Sequence, residues 1–431
     1  MHSPPHSIQD WKTLAHSDPE LAATTLIDKI AAVAPTTQRS VFAALPSQEA
    51  LTLFFEKAIA STGALSGVPF LLKDLFDFPG YPTTASSLFL TDVRPKPTRE
   101  AALSKAFRAQ GAVFAGKTHL NEFAYGLSGE NPTFGNCPHP IYPERLSGGS
   151  SSGSAWAVRS GIVPIATGTD TGGSIRVPTA WCGIYGLRLS PNEWSSKGCF
   201  PLAPSFDTAG WFCSTAEDMR LCIETLLSPK RGKTSPLRGV SLLESVKDLS
   251  IEFRAKSGDV LEILNAQSDP SVTEAYRVTT RSITQSYSIL QSLEALQVHK
   301  AWIDAHKKRY DPVVWQRIDR ARHWTPAQID DAKKTEARII DFFQACFERY
   351  DFIVLPATQS PAISAAEHTD EFRTNLLAIT APGSFARCPV LTIPIQLKNG
   401  ESQGLQILCK EDQSDIPLRI LNALGGTSPS S

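Results

Sequence analysis

Hydrophobic and polar positions change period several times along the chain. From Ile8 to Ala60, in LAATTLIDKIAAV and ALTLFFEKAIA, apolar residues recur every three or four positions, predicting helices packed by one face and carrying no cluster of chemical groups. Leu65 to Leu75 is a short apolar run bounded by Gly and Pro without a helical polar face, which predicts a buried strand with Lys73 at its inner end. Arg99 to Gln110 sets Leu103, Ala106, Phe107 and Gln110 on one side of a helix that Gly111 stops, and AVFA after it has strand character. Asn121 to Pro140, rich in Gly, Asn and Pro, predicts a loop after a short helix. Leu226 to Gln297 alternates strand-like and helical patches. Trp302 to Tyr350 is helical with a charged face, on which KKRYD is a solvated run.

Between these lies Ser147 to Arg176, SGGSSSGSAWAVRSGIVPIATGTDTGGSIR, where two glycine-flanked serine clusters enclose a short apolar segment. Glycine opens backbone conformations closed to other residues and lets loop N–H groups approach a ligand, so GGSSSG and TGGS suit turns that aim donors and a hydroxyl at one point. A serine nucleophile needs a base, and no histidine lies in this stretch. Lys73 sits in apolar surroundings, GVPFLLKDLFDFPG, and burial disfavours an ammonium, so this lysine can be neutral near pH 7 and accept a proton. Asp74 beside it is structural. His119 and His139 are the alternative bases nearest in sequence.

Composition narrows the function class. The 42 basic and 43 acidic side chains leave a net charge of −1, which points away from nucleic acid and anionic membranes and toward a small-molecule partner. Eight cysteines form no CxxC pair, and MHSPPHSIQD has no apolar signal core, so a cytoplasmic location without a zinc site is expected. No run of about 18 apolar residues is present, which excludes a membrane-spanning helix.

Three short patterns compete with the lysine–serine reading. GAVFAGKT, Gly111 to Thr118, matches the phosphate-loop spelling of a nucleotide hydrolase, but a helix precedes it and AVFA is itself the strand, leaving Lys117 an ordinary strand-end lysine. GSSSG, Gly149 to Gly153, spells a nucleophile elbow with Ser151 at its centre, yet polar YPERLSG precedes it where an apolar strand should; an α/β-hydrolase-type esterase is the alternative function. DTG, Asp170 to Gly172, lacks the second copy that paired aspartate catalysis needs.

GVPFLLKD, GGSSSGSAWAV and GTDTGGSIRVPTAWCGIYGLR, in this order and with Ser150 and Ser174 separated by 24 positions, resemble the amidase signature family of serine hydrolases. The likeness runs from about Leu65 to Trp211, continues through PLAPSFDTAGWFCSTAEDM, and returns weakly in YDFIVLPATQSPA and near the C-terminus. The resemblance implies an α/β fold: a single large domain with a central twisted mixed β-sheet covered by helices on both faces. It places a catalytic domain at 61–425 with the helical segment 1–60 packed on it, and no Gly/Ser- or Pro-rich linker divides the chain. It implies Ser174 as nucleophile, Ser150 as bridging serine and Lys73 as base, with backbone N–H groups of Thr171, Gly172, Gly173 and Ser174 as oxyanion hole. Leu127, Ser128 and Gly129 become candidates for the acyl pocket, and Asp170 and Arg176 support the nucleophile loop by pairing or hydrogen bonding. No metal or organic cofactor is implied. The GLSGEN loop and the tail after SIRVP look most similar to plant indoleacetamide hydrolases, compact bacterial amidases and allophanate hydrolases, which suggests a small primary amide. A homodimer is left open.

Overall fold

The computed structural model describes residues 4–191, 193–230, 235–411 and 415–425. Its strands are β1 (Phe42–Ala44), β2 (Pro69–Lys73), β3 (Val113–Thr118), β4 (Ile165–Asp170), β5 (Tyr185–Arg188), β6 (Thr208–Cys213), β7 (Gly239–Ser241), β8 (Ala266–Ser268), β9 (Phe352–Pro356), β10 (Val390–Gln396) and β11 (Ser402–Cys409). They form one mixed sheet in the order β1-β3-β2-β4-β6-β5-β10-β11-β9-β7-β8. β2 runs parallel to β3 and β4 on either side, while β4, β6, β5, β10, β11 and β9 follow one another antiparallel.

β2 shows why the sheet must be covered twice. Every residue in it is buried, and successive side chains alternate faces: Phe70 and Leu72 join one hydrophobic cluster, Leu71 another. On Leu71's side the helices Ile8–Ser17, Pro19–Ala31 and Gln48–Ile59 bring Trp11, Leu26 and Phe55 into the cluster that also holds Val113 and Ala166. On the other side Phe107, from the helix Ala102–Ala109, stacks on Phe70 with ring centroids 5.2 Å apart and meets Trp211 of β6 edge-on.

The helical expectation for the first sixty residues omits β1, a three-residue strand that pairs antiparallel with β3. Three residues are too few to interrupt a helical period, so the strand is visible only through its partner. The expected strand over 65–75 shortens to β2, because Leu65 and Gly67 donate N–H groups to Gln110 and Gly111 in a turn, and Phe76 closes a turn back onto Lys73.

GAVFAGKT falls on β3 itself, which removes the phosphate-loop reading: there is no loop to cradle a phosphate. Lys117 is not an ordinary strand-end lysine. It is fully buried, its Nζ lies 2.6 Å from Asp74 Oδ1, and it donates to Pro82 O at 2.8 Å and Thr83 Oγ1 at 3.1 Å. Asp74 Oδ2 accepts from the Thr84 N–H at 3.0 Å and from the Thr84 hydroxyl. The pair ties the end of β2 to the next loop and keeps Asp74 away from Lys73.

Removing one partner of a buried ion pair strands the other, at a typical loss of about 3–5 kcal/mol. Lys117→Met should lower the unfolding free energy by that order in urea titration, and adding Asp74→Asn should restore part of it. A loss under about 1 kcal/mol, the range of exposed pairs, would contradict this account of the pair.

Candidate active site

β2 delivers Lys73 to the centre of the molecule with no exposed surface. Its Nζ lies 2.7 Å from Ser150 Oγ, 2.9 Å from Ser151 Oγ and 2.7 Å from Thr169 Oγ1. Burial pushes its pKa down to about 7, partly offset by attraction from Asp170 and Asp207. Ser150 and Ser151 stand in the turn that opens the helix Ser152–Arg159, and Thr169 is the penultimate residue of β4, the parallel neighbour of β2. The sequence reading missed Ser151 and Thr169 as lysine partners.

Beyond β4 the chain must turn through 171–175 before the helix Arg176–Cys182, and Asp170 fixes that turn. Its carboxylate accepts the N–H groups of Gly173 at 2.8 Å, Ile175 at 3.0 Å and Arg176 at 3.3 Å. The Arg176 guanidinium donates to both of its oxygens, at 2.8 and 3.0 Å, and Arg188 Nε stands 3.4 Å from Oδ1. All three charged side chains are fully buried. Burial pushes the Asp170 carboxyl up, but Arg176 and Arg188 outweigh it and hold it well below the usual carboxylate range. Arg176 also donates to Thr380 O, Gln406 Oε1 and Ser384 Oγ, and Thr380 Oγ1 donates to Gly172 O at 2.5 Å, so the loop is clamped from β11 and the helix Asp370–Phe385.

Ser174 is almost wholly buried but lines a narrow cavity with Leu127, Thr171 and Gly172. Of the four N–H groups expected to hold an oxyanion, Gly173's is donated to Asp170 and is not available. Those of Thr171, Gly172 and Ser174 have no acceptor among the described residues. Gly173 instead supplies a φ of +129°, and a Cβ there would stand 3.0 Å from the Thr380 side chain.

The three pocket candidates separate. Leu127 lines the cavity that reaches Ser174, and Ser128 lines an adjoining chamber of about 330 Å³. Gly129 lines neither; its N–H is donated to Asn121 Oδ1 at 3.0 Å, and its φ of +93° turns the loop back against Ser147 and Ser152. Ser151, the elbow alternative, is buried with its Oγ held between Lys73 and Thr169 O.

Neither alternative histidine bonds Ser150 or Ser174. His119 bonds Ser86 Oγ through Nδ1 at 2.8 Å and stacks on Phe134, and burial pushes its pKa down to about 4. His139 Nδ1 accepts the N–H groups of Ile141 and Tyr142, which leaves Nε2 to donate to Trp181 O at 2.9 Å. Among the described residues there is no group of three or more His, Cys, Asp or Glu able to hold a metal, and no helix is long and apolar enough to cross a membrane.

A sequence model of the amidase family matches residues 22–286 and 254–414. Amidase 1 of Arabidopsis thaliana is 26% identical over 414 residues, covering 87% of this chain and 96% of that protein. A glutamyl-tRNA(Gln) amidotransferase subunit of Symbiobacterium thermophilum is 30% identical over 395 residues, covering 81% of this chain and 80% of its own. A crystal structure described as an amidase superposes with a TM-score of 0.80 at 27% identity, over 97% of this chain and 98% of that one. With Lys73 and the two glycine-serine turns brought together inside this sheet, the chain belongs to the amidase family of serine hydrolases and is an amide-hydrolysing enzyme.

Proposed function

We propose that the chain hydrolyses a small carboxylic amide to carboxylate and ammonia through an acyl-enzyme on Ser174, with Lys73 as base and Ser150 as bridge. The observation that carries this reading is the polarity around Lys73 Nζ. A neutral amine has two N–H donors and one lone pair. Ser151 gives its own proton to Thr169 O at 3.2 Å, so its oxygen accepts from Lys73; Thr169 Oγ1 takes the second N–H. The lone pair is left for the hydroxyl of Ser150, at 2.7 Å. Proton transfer from Ser150 to Lys73 then lets Ser150 draw the proton of Ser174 as its Oγ attacks the carbonyl carbon.

The negative charge that develops on the carbonyl oxygen has the N–H groups of Thr171, Gly172 and Ser174 within the same turn, each such donor typically worth about 3 kcal/mol to the transition state. The C–N bond breaks as the relay returns a proton to the departing nitrogen, and water, activated along the same path, cleaves the ester. The narrowness of the cavity beside Ser174 supports a small substrate.

Ser174→Ala removes the only atom that bonds the acyl group. Ammonia release from a panel of small amides should fall by up to about 10⁶-fold in this variant, the cost of losing a covalent nucleophile, with circular dichroism unchanged. Activity within tenfold of the parent would end the assignment.

The Lys73 base must be neutral to act, and its folded pKa lies near 7, so acylation should decline as pH falls below that value and level off above it. Lys73→Arg keeps the charge but cannot accept a proton, so it should lose this limb together with most of the turnover. A folded arginine variant with parental acylation rates across pH 5–9 would show that charge alone is needed at this position.

Gly173→Ala should lower turnover by about 10² or more, the scale of one lost oxyanion donor, because its φ and the Thr380 contact leave no room without moving the N–H groups on either side. An effect confined to KM would make the turn a binding element instead.

A further inference from the structure

The turn that carries Ser174 is also held from the side of β6. β4 and β6 pair antiparallel as far as Asp170 opposite Thr208, and the next step of that register sets Asp207 against Thr171, the first of the three proposed oxyanion donors. The Thr171 hydroxyl donates to Asp207 Oδ1 at 2.6 Å, and Asp207 Oδ2 accepts the N–H groups of Leu202 at 2.7 Å and Ala203 at 3.0 Å. Both oxygens accept, which is the bonding of an ionised carboxylate. Burial pushes the Asp207 carboxyl up, and these hydrogen bonds oppose the shift. The turn 202–207 is itself anchored. Ser205 gives its N–H to Glu294 Oε2 at 2.8 Å and its hydroxyl to Oε1, and Glu294 stands on the helix Ile283–His299. Asp207 lines a cavity of about 120 Å³ together with Thr171 and with Thr169, the hydroxyl partner of Lys73.

A backbone N–H without an acceptor is free to tilt with its peptide unless its residue is held elsewhere, and the Thr171 N–H has no acceptor among the described residues. Its side chain supplies the hold, through a charge-assisted bond of roughly twice the strength of a neutral one. The same carboxylate is one of two charges that attract Lys73, the other being Asp170 at the end of β4. Cys199 is the remaining titratable group acting on that amine, but burial pushes its thiol well above the ordinary value and leaves it uncharged. Asp74, next to Lys73 in the chain, is paired with Lys117. We propose that Asp207 is a positioning residue for the reaction at Ser174: it anchors the Thr171 hydroxyl, so that the Thr171 N–H stays turned to the carbonyl oxygen, and its negative charge acts on the Lys73 amine. The inference rests on the hydrolysis proposed above. Asp207 bonds neither Ser150 nor Ser174 and acts only through Thr171 and Lys73.

Asp207→Asn keeps the shape of the side chain but removes its charge. With its oxygen kept by the Leu202 and Ala203 N–H groups, the amide nitrogen faces Thr171 and cannot accept from the hydroxyl. The probe is whichever of acetamide, propionamide, butyramide and benzamide the parent cleaves best, followed by ammonia release. Above the acid limb, kcat of Asp207→Asn should fall by about tenfold to a hundredfold, up to the scale of one lost oxyanion donor, while KM changes by less than about threefold. The acid limb of kcat/KM should move to lower pH by roughly half a unit or more, because losing an attracting negative charge favours the neutral amine of Lys73. A merely structural loosening would move that limb upward, since water admitted to Lys73 returns its pKa toward the ordinary value. Thr171→Val should lose kcat to a similar extent, adding Asp207→Asn to it should cost less than about threefold more, and Thr171→Ser, which keeps a hydroxyl, should lie closer to the parent than to Thr171→Val. Should Asp207→Asn fail to fold by circular dichroism, the two Thr171 variants decide alone. A limb that stays in place or moves upward, a loss carried by KM, or equal activity of the valine and serine variants would each overturn the proposal and leave the amidase reading standing. Amides cleaved as well by Ser174→Ala as by the parent would instead bring down both readings together.

Discussion

A single buried charge organises the catalytic half of this protein. Asp170 ends a central strand inside the sheet, where an unpaired carboxylate would be strongly unfavourable, so the fold surrounds it with two guanidinium groups and three backbone N–H donors. Meeting that requirement shapes the turn. Gly173 gives its N–H to the carboxylate at a φ only glycine adopts readily, and Thr171, Gly172 and Ser174 beside it line the cavity with N–H groups that have no acceptor among the described residues. The counter-ion Arg176 carries the same constraint outward to Thr380, Ser384 and Gln406, so strands and helices distant in sequence set the position of the turn that holds Ser174.

Lys73 answers the opposite need. Asp170 is kept charged by partners, whereas burial pushes Lys73 toward neutrality, with hydroxyls and a carbonyl nearest its amine and attraction from Asp170 and Asp207 offsetting only part of the shift. A lysine whose pKa is lower folded than unfolded destabilises the fold at every pH below its unfolded value, and the drop from 10.5 to about 7 corresponds to something on the order of 5 kcal/mol once pH is below 7. The separate Asp74–Lys117 pair keeps the adjacent aspartate from cancelling this effect. The large two-faced core of the sheet offsets the cost of the site.

The strands nearest the site were legible because burial on both faces leaves short, unbroken apolar runs, as in FLL and AVFA, and because Gly and Pro mark their ends. The sequence pointed to Lys73 through its apolar setting and to Ser150 and Ser174 through the family resemblance, and the fold brings Lys73 Nζ to 2.7 Å from Ser150 Oγ. What the sequence concealed depends on register and long-range closure. Thr169 meets Lys73 only because β4 lies parallel to β2, and β1 exists only through β3. Gly173 reads like its neighbours until the acceptor of its N–H is known. Thr380 lies in a helix whose pattern says only that one face packs, and more than two hundred positions separate Arg176 from Thr380. Arg188 could have been noticed, since a charged residue within a buried strand needs a partner.

The central claim is that this enclosure makes Ser174, and not one of its serine neighbours, the nucleophile. A fluorophosphonate bonds covalently to an activated serine oxygen, so labelling the native chain and mapping the modified peptide reads the answer directly. The account predicts modification at Ser174, in the peptide containing TGGSIR. Modification at Ser150 or Ser151, or none in a folded sample that hydrolyses amides, would contradict it.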